Sequence, residues 1–477
     1  MLARLCLAFI GAVCIISFPA VADPPEPRLY VDAAAARCDD AQARADAPSR
    51  PFCTLTRAAQ VAQPGDEVLI SPGRYTGTLR PARGGRPEAP IRFTAAEPGV
   101  VLDAAGAANA VRLIRTDDVV LRGMEVTGGA NQGVWVEDSA RVRLERVTVR
   151  RNPGAGVQLK AARETAVDRS ALTDNGRAGL LELPGASGTR VTGATVTGNG
   201  RDGEPYNGDG IQLGGTGATV SGSTISGNGD SQYEHGVYTG TGSSGWRLTD
   251  NVLDANAGAG IKAGGTGAIL RNRIRDGRWG VVLSDNPQPV AVIQNLIHGR
   301  AQHQVFVTAG ALPGRGRLWQ NSIVQQGRAL SGGDASTVFV LAAGSLELRN
   351  NLIAYTGNDA AGVALWINDA ARVGTLTADT NWFAANDSRS RHLAFGGSRV
   401  TLATWRERTG QDARSISSWA PVFDAELRVT STHWGIGRGD RLDLGPDFPV
   451  PTADGPVDIG AYMSALAVWP PITRSAG

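Results

Sequence analysis

Short segments in which apolar and polar residues alternate recur along most of the chain, and many of them end at an asparagine. Two clear examples are VTGATVTGN (191–199) and VSGSTISGN (220–228). Alternation over so few residues is typical of β-strands with one buried face, because an amphipathic helix needs apolar positions three or four residues apart. The pattern therefore predicts many short strands separated by tight corners.

The alternating segments recur with a loose period. The asparagines that close them are Asn152, Asn175, Asn199, Asn228 and Asn256. The glycines of the following strands, at 156, 179, 210, 236, 260 and 280, are 23, 31, 26, 24 and 20 residues apart. A β-propeller would need ~40–45 residues per blade, so this period predicts an all-β, right-handed parallel β-helix. We expect the corner asparagines to adopt the left-handed conformation and to stack along the axis.

Segments of different character flank the repeats. The N-terminal segment contains a short amphipathic helix that Thr54 or Thr56 would cap, and the glycine period is lost towards the C-terminus. A parallel array has unpaired end strands that must be covered. We therefore expect an N-terminal cap at 23–75, the β-helix at 76–385 and a C-terminal cap at 386–477.

The first 22 residues have the pattern of a secretory signal peptide. Arg4 supplies the positive end, an apolar run follows, and Ala20-Val21-Ala22 forms the cleavage site. Cleavage after Ala22 would leave two cysteines, Cys38 and Cys53, in an oxidising compartment, where we expect them to form a disulfide. The sequence thus predicts a secreted or periplasmic protein without a membrane span.

Composition and charge narrow the possible functions. The chain has 47 basic and 45 acidic residues, and a net charge of +2 gives no reason to expect nucleic-acid binding. Only Lys160 and Lys262 are lysines, so a lysine inside a candidate site is an unusual choice for this chain. No zinc spacing, phosphate loop or nucleophile elbow is present. We expect a monomer that acts on a linear polymer.

Three similar segments, NGDGIQLGG (207–215), EHGVYTGTG (234–242) and GAGIKAGG (258–265), carry the candidate chemistry. Aligning their glycines places Gln212, Tyr238 and Lys262 at the same position, and stacked strands would hold these residues ~4.8 Å apart. Asp209 and His235 share the position before the glycine. Lys262, Tyr238 and His235 are our candidate catalytic residues.

Two insertions, at 200–209 and 229–235, precede successive strands of this alignment. Loops on a rigid scaffold commonly carry binding residues. The candidate substrate-binding residues are Asp209, Gln212, Glu234, Asn207, Tyr206, Tyr233, Trp279 and Arg271. Asp209 also has an ordinary alternative role, because aspartate between two glycines is a common turn residue.

Several motifs resemble those of secreted bacterial right-handed β-helix proteins, a superfamily rich in polysaccharide lyases and hydrolases. They are PGDEVLISPGRY (64–75), the Gly-Ile/Val-x-Leu strands and DIGAY (458–462). GAGIKAGG is similar to a strand of family 9 pectate lyases in which the lysine is the base, which implies that role for Lys262. That family binds calcium through aspartates, so the resemblance implies calcium as a possible cofactor, with Asp202, Asp209 and Asp230 as the available ligands.

The favoured hypothesis is β-elimination on an acidic, uronate-containing polysaccharide. Lys262 would be the base, with its pKa lowered by burial or by arginines such as Arg271. Tyr238 would be the acid or an alternative base, and His235 would neutralise the carboxylate or share the proton transfer.

Two alternatives stay open at this point. NGDG, EHG and GIK also resemble motifs of polygalacturonase-like hydrolases, in which Asp209 with Asp230 or Glu234 would form an acid/base pair. A non-catalytic carbohydrate-binding solenoid would show binding without turnover.

Overall fold

A computed structural model of the chain describes residues 28–201, 203, 208–284, 290–308, 316–328, 336–341, 343–357, 362–368, 373–385, 391–418, 439–440, 442 and 459–460. Within these residues the chain winds through three sheets, here named A, B and C, in a right-handed parallel β-helix. The predicted fold class is confirmed. The predicted signal peptide lies outside the described residues.

Each turn of the β-helix contributes one strand to each sheet, so successive strands of a sheet are about one repeat apart in sequence. Sheet A consists of Arg28–Val31 (β1), Glu67–Ile70 (β2), Ile91–Ala95 (β4), Val119–Arg122 (β7), Arg143–Glu145 (β10), Ala166–Asp168 (β13), Arg190–Thr192 (β16), Thr219–Ser221 (β19), Ser244–Thr249 (β22), Thr266–Leu270 (β25), Val290–Ile293 (β28), Gly316–Trp319 (β31), Ala343–Arg349 (β34) and Val373–Asp379 (β37).

Sheet B follows sheet A in each turn. It consists of Gly73–Thr76 (β3), Val100–Asp103 (β5), Glu125–Thr127 (β8), Thr148–Arg150 (β11), Ala171–Thr173 (β14), Thr195–Thr197 (β17), Thr224–Ser226 (β20), Val252–Asp254 (β23), Arg273–Arg275 (β26), Leu296–Gly299 (β29), Ser322–Gln325 (β32), Leu352–Tyr355 (β35), Trp382–Ala385 (β38) and Ile416–Ser418 (β41).

Sheet C completes the turn and carries the aligned segments of the candidate site. It consists of Asn109–Ile114 (β6), Gln132–Glu137 (β9), Val157–Lys160 (β12), Leu180–Glu182 (β15), Ile211–Leu213 (β18), Val237–Thr239 (β21), Ala259–Ala263 (β24), Trp279–Leu283 (β27), His303–Val307 (β30), Ser336–Val340 (β33), Val363–Ile367 (β36), Leu393–Phe395 (β39) and Ser398–Val400 (β40). The pair β39 and β40 is antiparallel.

The core is a set of apolar stacks that run along the axis. Alternate residues of each strand point inwards, and equivalent inward residues of successive turns lie in register. Ile211, Val237 and Ile261 form one such stack in sheet C, and all three are buried. Burial of apolar area at ~25 cal/mol per Å² favours this arrangement, and the outward residues are left free for function.

An asparagine ladder runs along the corner between sheets B and C. The side-chain amide of Asn152 donates to Asn175, Asn175 to Asn199, Asn199 to Asn228 and Asn228 to Asn256, over 2.9–3.0 Å. The predicted stacking is thus present. The expectation that these asparagines are left-handed is wrong: the residue before each one has the positive φ, for example +54° at Arg151 and +50° at Ala255.

This ladder also explains the glycines that open the sheet C strands. A Cβ at Gly210 would lie 2.8 Å from Asn228 Nδ2, and one at Gly236 would lie 2.7 Å from Asn256 Nδ2. Any side chain there would push the ladder amides apart, so the strand must approach the corner with a bare Cα.

A second asparagine ladder, which the sequence analysis missed, runs along the corner between sheets A and B. Each side-chain amide donates to the next residue over 3.0–3.1 Å. Its members are Asn251, Asn272, Asn295, Asn321, Asn351 and Asn381. The two ladders overlap in the turn that contains both Asn251 and Asn256.

Helices and a disulfide lie near the ends of the β-helix. Helix α1 spans Leu55–Val61, with Thr54 as its N-cap. Cys38 and Cys53 are disulfide-bonded, with their Cα atoms 4.8 Å apart. Helix α2 spans Leu402–Thr409 and buries Trp405. Neither helix of the described part of the chain is long and apolar enough to cross a membrane.

Candidate functional site

The outer face of sheet C brings the aligned residues together. Gln212 pairs with Tyr238, and Tyr238 pairs with Lys262, so the three side chains occupy successive rungs of one outward ladder. Asp209 and His235 lie on the same two rungs as Gln212 and Tyr238, just before the strands. We call Asp209, His235, Tyr238 and Lys262 the rung cluster.

His235 is held by hydrogen bonds to the rungs on both sides. Its main-chain N–H donates to Asp209 Oδ1 over 2.7 Å, and its Nδ1 accepts from the N–H of Ala259 over 2.9 Å. Because Nδ1 is an acceptor, the ring proton is assigned to Nε2. Burial lowers the pKa of His235 to about 3, and the charge of Lys262 adds to this effect. The imidazole is therefore a neutral hydrogen-bond donor near pH 7.

Asp209 is only 3% exposed. Burial raises its pKa to about 8, and the negative charge of Glu234 acts in the same direction. The hydrogen bond from His235 and the charge of Lys262 oppose this rise without cancelling it. The side chain is therefore mostly protonated near neutral pH.

Lys262 and Tyr238 form the more accessible part of the rung cluster. Both side chains are half-buried, and Nζ of Lys262 lies 5.4 Å from the centroid of the Tyr238 ring. That distance is within the range of a cation–π contact. The ring of Tyr238 is in turn 6.2 Å from the ring of His235. An amine, a phenol and an imidazole thus occupy one small region of the outer face.

The inserted loops support this region. Glu234 is fully buried, and its Oε2 accepts from the N–H groups of Asp230 and Ser231 over 2.8 and 3.0 Å. Asp230 Oδ2 accepts from the N–H of Gly203 over 3.0 Å, which links the two loops. Tyr233 is 47% exposed. Glu234 therefore closes its own loop and is not accessible from the outer face of sheet C.

Three of the predicted residues, Asp202, Tyr206 and Asn207, lie outside the described residues. Among the residues that are described, no group of three or more His, Cys, Asp or Glu side chains forms a possible metal site. Calcium takes about six to eight oxygen ligands, and the described aspartates Asp209 and Asp230 each accept from a backbone N–H instead. We therefore assign no chemical step to calcium.

The predicted arginine partner is not near the rung cluster. Arg271 lies at the corner between sheets A and B, where it makes two 2.8 Å hydrogen bonds to Asp250 on the neighbouring turn. Arg273 and Arg275 belong to sheet B rather than sheet C. The expectation that arginines of the next turn lie beside Lys262 is therefore wrong.

Trp279 lies on sheet C, opposite Ala259 in the next turn. Its ring stacks with that of Phe306 at 6.2 Å between centroids, and the guanidinium of Arg278 lies 5.0 Å from its ring. Phe306 continues the outward ladder of Lys262 towards the C-terminal end. Trp279 therefore begins an aromatic row beside the cluster.

Gly258 is a site residue that the sequence analysis missed. A Cβ at this position would lie 2.5 Å from the carbonyl oxygen of Glu234 and 2.6 Å from Nδ1 of His235. The absence of a side chain lets the loop before His235 pack against the next turn. The first glycine of GAGIKAGG was the available signal, but its neighbours in space are not visible in the sequence.

Comparisons with known proteins agree with the architecture. A family model for the right-handed β-helix region matches residues 109–274 and 205–313. The chain is similar to a mannuronic acid-specific polysaccharide family 6 lyase from human gut microbiota, with 15% identity over 83% of this chain and 92% of that one and a TM-score of 0.55. It is also similar to XylC, solved with xylose, with 10% identity over 82% and 85% of the two chains and a TM-score of 0.52.

The structure of pectate lyase Pel9A is also similar, with 15% identity over 91% of this chain and 96% of that one, at a TM-score of 0.47. No curated protein matches the sequence. The family model confirms the predicted resemblance to right-handed β-helix proteins, and the two solved structures with TM-scores above 0.5 support the fold alone.

Proposed function

We propose that the protein is a polysaccharide lyase that cleaves a uronate-containing polymer by β-elimination at the rung cluster. The observation that carries this proposal is the register that places Lys262 directly beside Tyr238, with the neutral ring of His235 next to them. The outer face of sheet C continues past the cluster in both directions, which suits a linear polymer better than a small molecule.

The elimination requires three events at one sugar residue. Nζ of Lys262, after releasing its own proton to solvent, takes the proton from C5, and the electron pair of the C5–H bond forms the C4–C5 double bond as the C4–O4 bond breaks. The departing O4 takes a proton from the hydroxyl of Tyr238. The neutral Nε2–H of His235 donates to the sugar carboxylate and stabilises the charge that develops there. Each acid–base group contributes typically ~10²–10⁴-fold.

The hydrolase alternative fits the geometry less well. Asp209 is protonated near neutral pH and has the state of a general acid. The second carboxylate is the difficulty, because Glu234 is fully buried and bound by two backbone N–H groups. Asp230 is exposed but holds the other loop through Gly203. Elimination therefore accounts for more of the arrangement.

We further propose that the protein acts outside the cytoplasm as a monomer. The Cys38–Cys53 disulfide and the signal-like first 22 residues support export.

The test of the proposed function is a panel of polymers: polygalacturonate, alginate, a glucuronate polymer and neutral xylan. Ultraviolet absorbance of the unsaturated product and new reducing ends are followed together. We expect both signals with at least one polyuronate and neither with xylan. New reducing ends without absorbance would indicate hydrolysis, and binding without either signal would indicate a carbohydrate-binding solenoid.

A further inference from the structure

The outward ladder of the rung cluster continues to the N-terminal end of sheet C. Leu79 bridges Val111 in parallel, which places Arg80 beside Arg112, and Arg112 pairs with Trp135. Trp135 pairs with Gln158 on the next turn. The ladder therefore has two cations and an aromatic ring at one end and the rung cluster further along.

Arg80 and Arg112 lie side by side on one outward face, without the acidic partner that several arginines of sheets A and B have. On sheets A and B, arginines such as Arg122 and Arg150 pair with an acid on a neighbouring turn. Within the described residues neither Arg80 nor Arg112 has an ion pair or a side-chain hydrogen bond, and both are exposed. Like charges on adjacent strands destabilise a sheet, and arginine keeps its charge, so this pair is suited to an anionic ligand.

Glu137, an acidic residue that lines the same region as Arg80 and Arg112, already accepts hydrogen bonds from other side chains. Glu137 interacts electrostatically with Arg112. However, its Oε1 accepts from Lys160 Nζ over 2.7 Å and its Oε2 accepts from Trp135 Nε1 over 3.1 Å. These contacts fix the tryptophan ring. Glu137 thus orients an aromatic platform and leaves the two guanidinium groups available.

These side chains border a cleft of about 530 Å³, which we call the distal cleft. Its lining includes Arg80, Arg112, Trp135, Asn131 and Gln132. Gln132 is fixed in turn, because it accepts from Asn109 and donates to Gln158, each over 2.8 Å. Polar groups held in place, two unpaired cations and an aromatic ring are the components of a site for an acidic sugar.

We propose that the distal cleft binds uronate residues of the same polymer, far from the reacting bond. Five rungs separate Trp135 from Lys262, so the two sites lie ~24 Å apart along the axis. Arg80 and Arg112 bind sugar carboxylates, and Trp135 stacks on a sugar ring. This inference rests on the proposed function for its polymer, and it makes the protein selective for chains long enough to span both sites.

The test is calorimetric binding to the full-length chain carrying Lys262→Ala, in which the proposed turnover is strongly slowed. The probes are oligogalacturonate and oligomannuronate of about ten residues, which exceed the ~24 Å span, and a neutral xylo-oligosaccharide of equal length. The variants Arg80→Gln/Arg112→Gln and Trp135→Ala are compared with Arg143→Gln/Arg190→Gln, two exposed arginines on sheet A. Unfolding temperatures confirm that every variant is folded.

We expect the cleft variants to bind the preferred oligouronate at least about tenfold more weakly, while the sheet A control binds it normally. The arginine variant should not alter binding of the neutral oligosaccharide. Equal binding by all variants, or no oligouronate binding by the parent, would overturn the inference. If the wild-type protein produces no unsaturated product but the cleft variants still lose oligouronate binding, the proposed lyase activity fails and the distal cleft stands.

Discussion

Asp209 and His235 are linked by a hydrogen bond in which the main-chain N–H of His235 donates to Asp209 Oδ1, 2.7 Å away. This bond joins two adjacent turns of the β-helix, so it fixes the start of the strand that carries Tyr238. With the pKa of Asp209 raised to about 8 by burial, the group that holds His235 is a neutral carboxyl near pH 7. An uncharged side chain with a carbonyl oxygen can accept the same hydrogen bond from His235.

Asp209→Asn should therefore retain most of the proposed lyase activity at pH 7, because the amide oxygen still accepts from His235. Asp209→Ala should lose about tenfold or more, since one buried hydrogen bond is removed and the strand start is freed. The measurement is kcat and KM on the preferred polyuronate. If Asp209 were the general acid of a hydrolase, Asp209→Asn would be as inactive as Asp209→Ala.

Lys262→Ala should lower kcat by at least ~10²-fold, because the proposed base is lost. Lys262→Arg should not restore the rate, since arginine stays protonated and cannot accept the C5 proton. Initial rates of ultraviolet absorbance on the preferred polyuronate measure the effect, and Arg143→Ala on sheet A serves as the control. Near-full activity in Lys262→Arg would show that Lys262 is only a cationic binder, and Tyr238 would then be the candidate base.

Gly258→Ala should disrupt the site although it adds a single methyl group. The new Cβ would lie within 2.6 Å of both the Glu234 carbonyl oxygen and His235 Nδ1, and relieving such overpacking costs typically ~1–3 kcal/mol. We expect a lower unfolding temperature and reduced kcat. Gly242→Ala is the matched control, because a Cβ there meets no atom within 4 Å. Equal behaviour of the two variants would show that the loop before His235 adapts freely.

The buried Glu182 should make the free energy of unfolding depend on pH. Its side chain points into the β-helix and is 1% exposed, and neither carboxyl oxygen makes a hydrogen bond of normal geometry among the described residues. Burial raises its pKa from 4.5 to about 7. The folded state therefore holds the proton to higher pH than the unfolded chain does. The contribution of this group to the free energy of unfolding therefore falls as the pH rises from about 4.5 to about 7, and it stays low above that range.

Glu182→Leu should consequently stabilise the protein at pH 8 by about 2–3 kcal/mol more than it does at pH 5. Leucine fits the position, since Leu159 and Leu213 occupy it on the neighbouring turns. Urea unfolding at both pH values measures the difference. Glu182→Gln separates charge from hydrophobicity, because it should remove the pH dependence with a smaller gain. A stabilisation that is identical at pH 5 and pH 8 would contradict this account.

The sequence predicted the stacked strands and the rung register well, because both follow from a glycine that must clear a corner asparagine. It failed for Arg271, since spacing does not reveal which of three sheets a segment joins once the chain turns a corner. The sequence also failed to identify which corner residues have a positive φ. Arg151 and Ala255 are not residue types that usually adopt the left-handed conformation in turns. Gly258 and Glu182 were missed because their roles depend on neighbours about one turn away in sequence.

The overlap of the two asparagine ladders has a consequence for local opening. The ladder between sheets B and C ends at Asn256, and the ladder between sheets A and B begins at Asn251. The turn that leads into the Lys262 strand is thus hydrogen-bonded through side-chain amides at two of its three corners. Solenoids open by fraying from their ends towards the interior, so amide hydrogens in this turn should exchange with solvent most slowly. The proposed reaction centre at Lys262 should therefore keep its geometry even when turns nearer the ends of the β-helix fray.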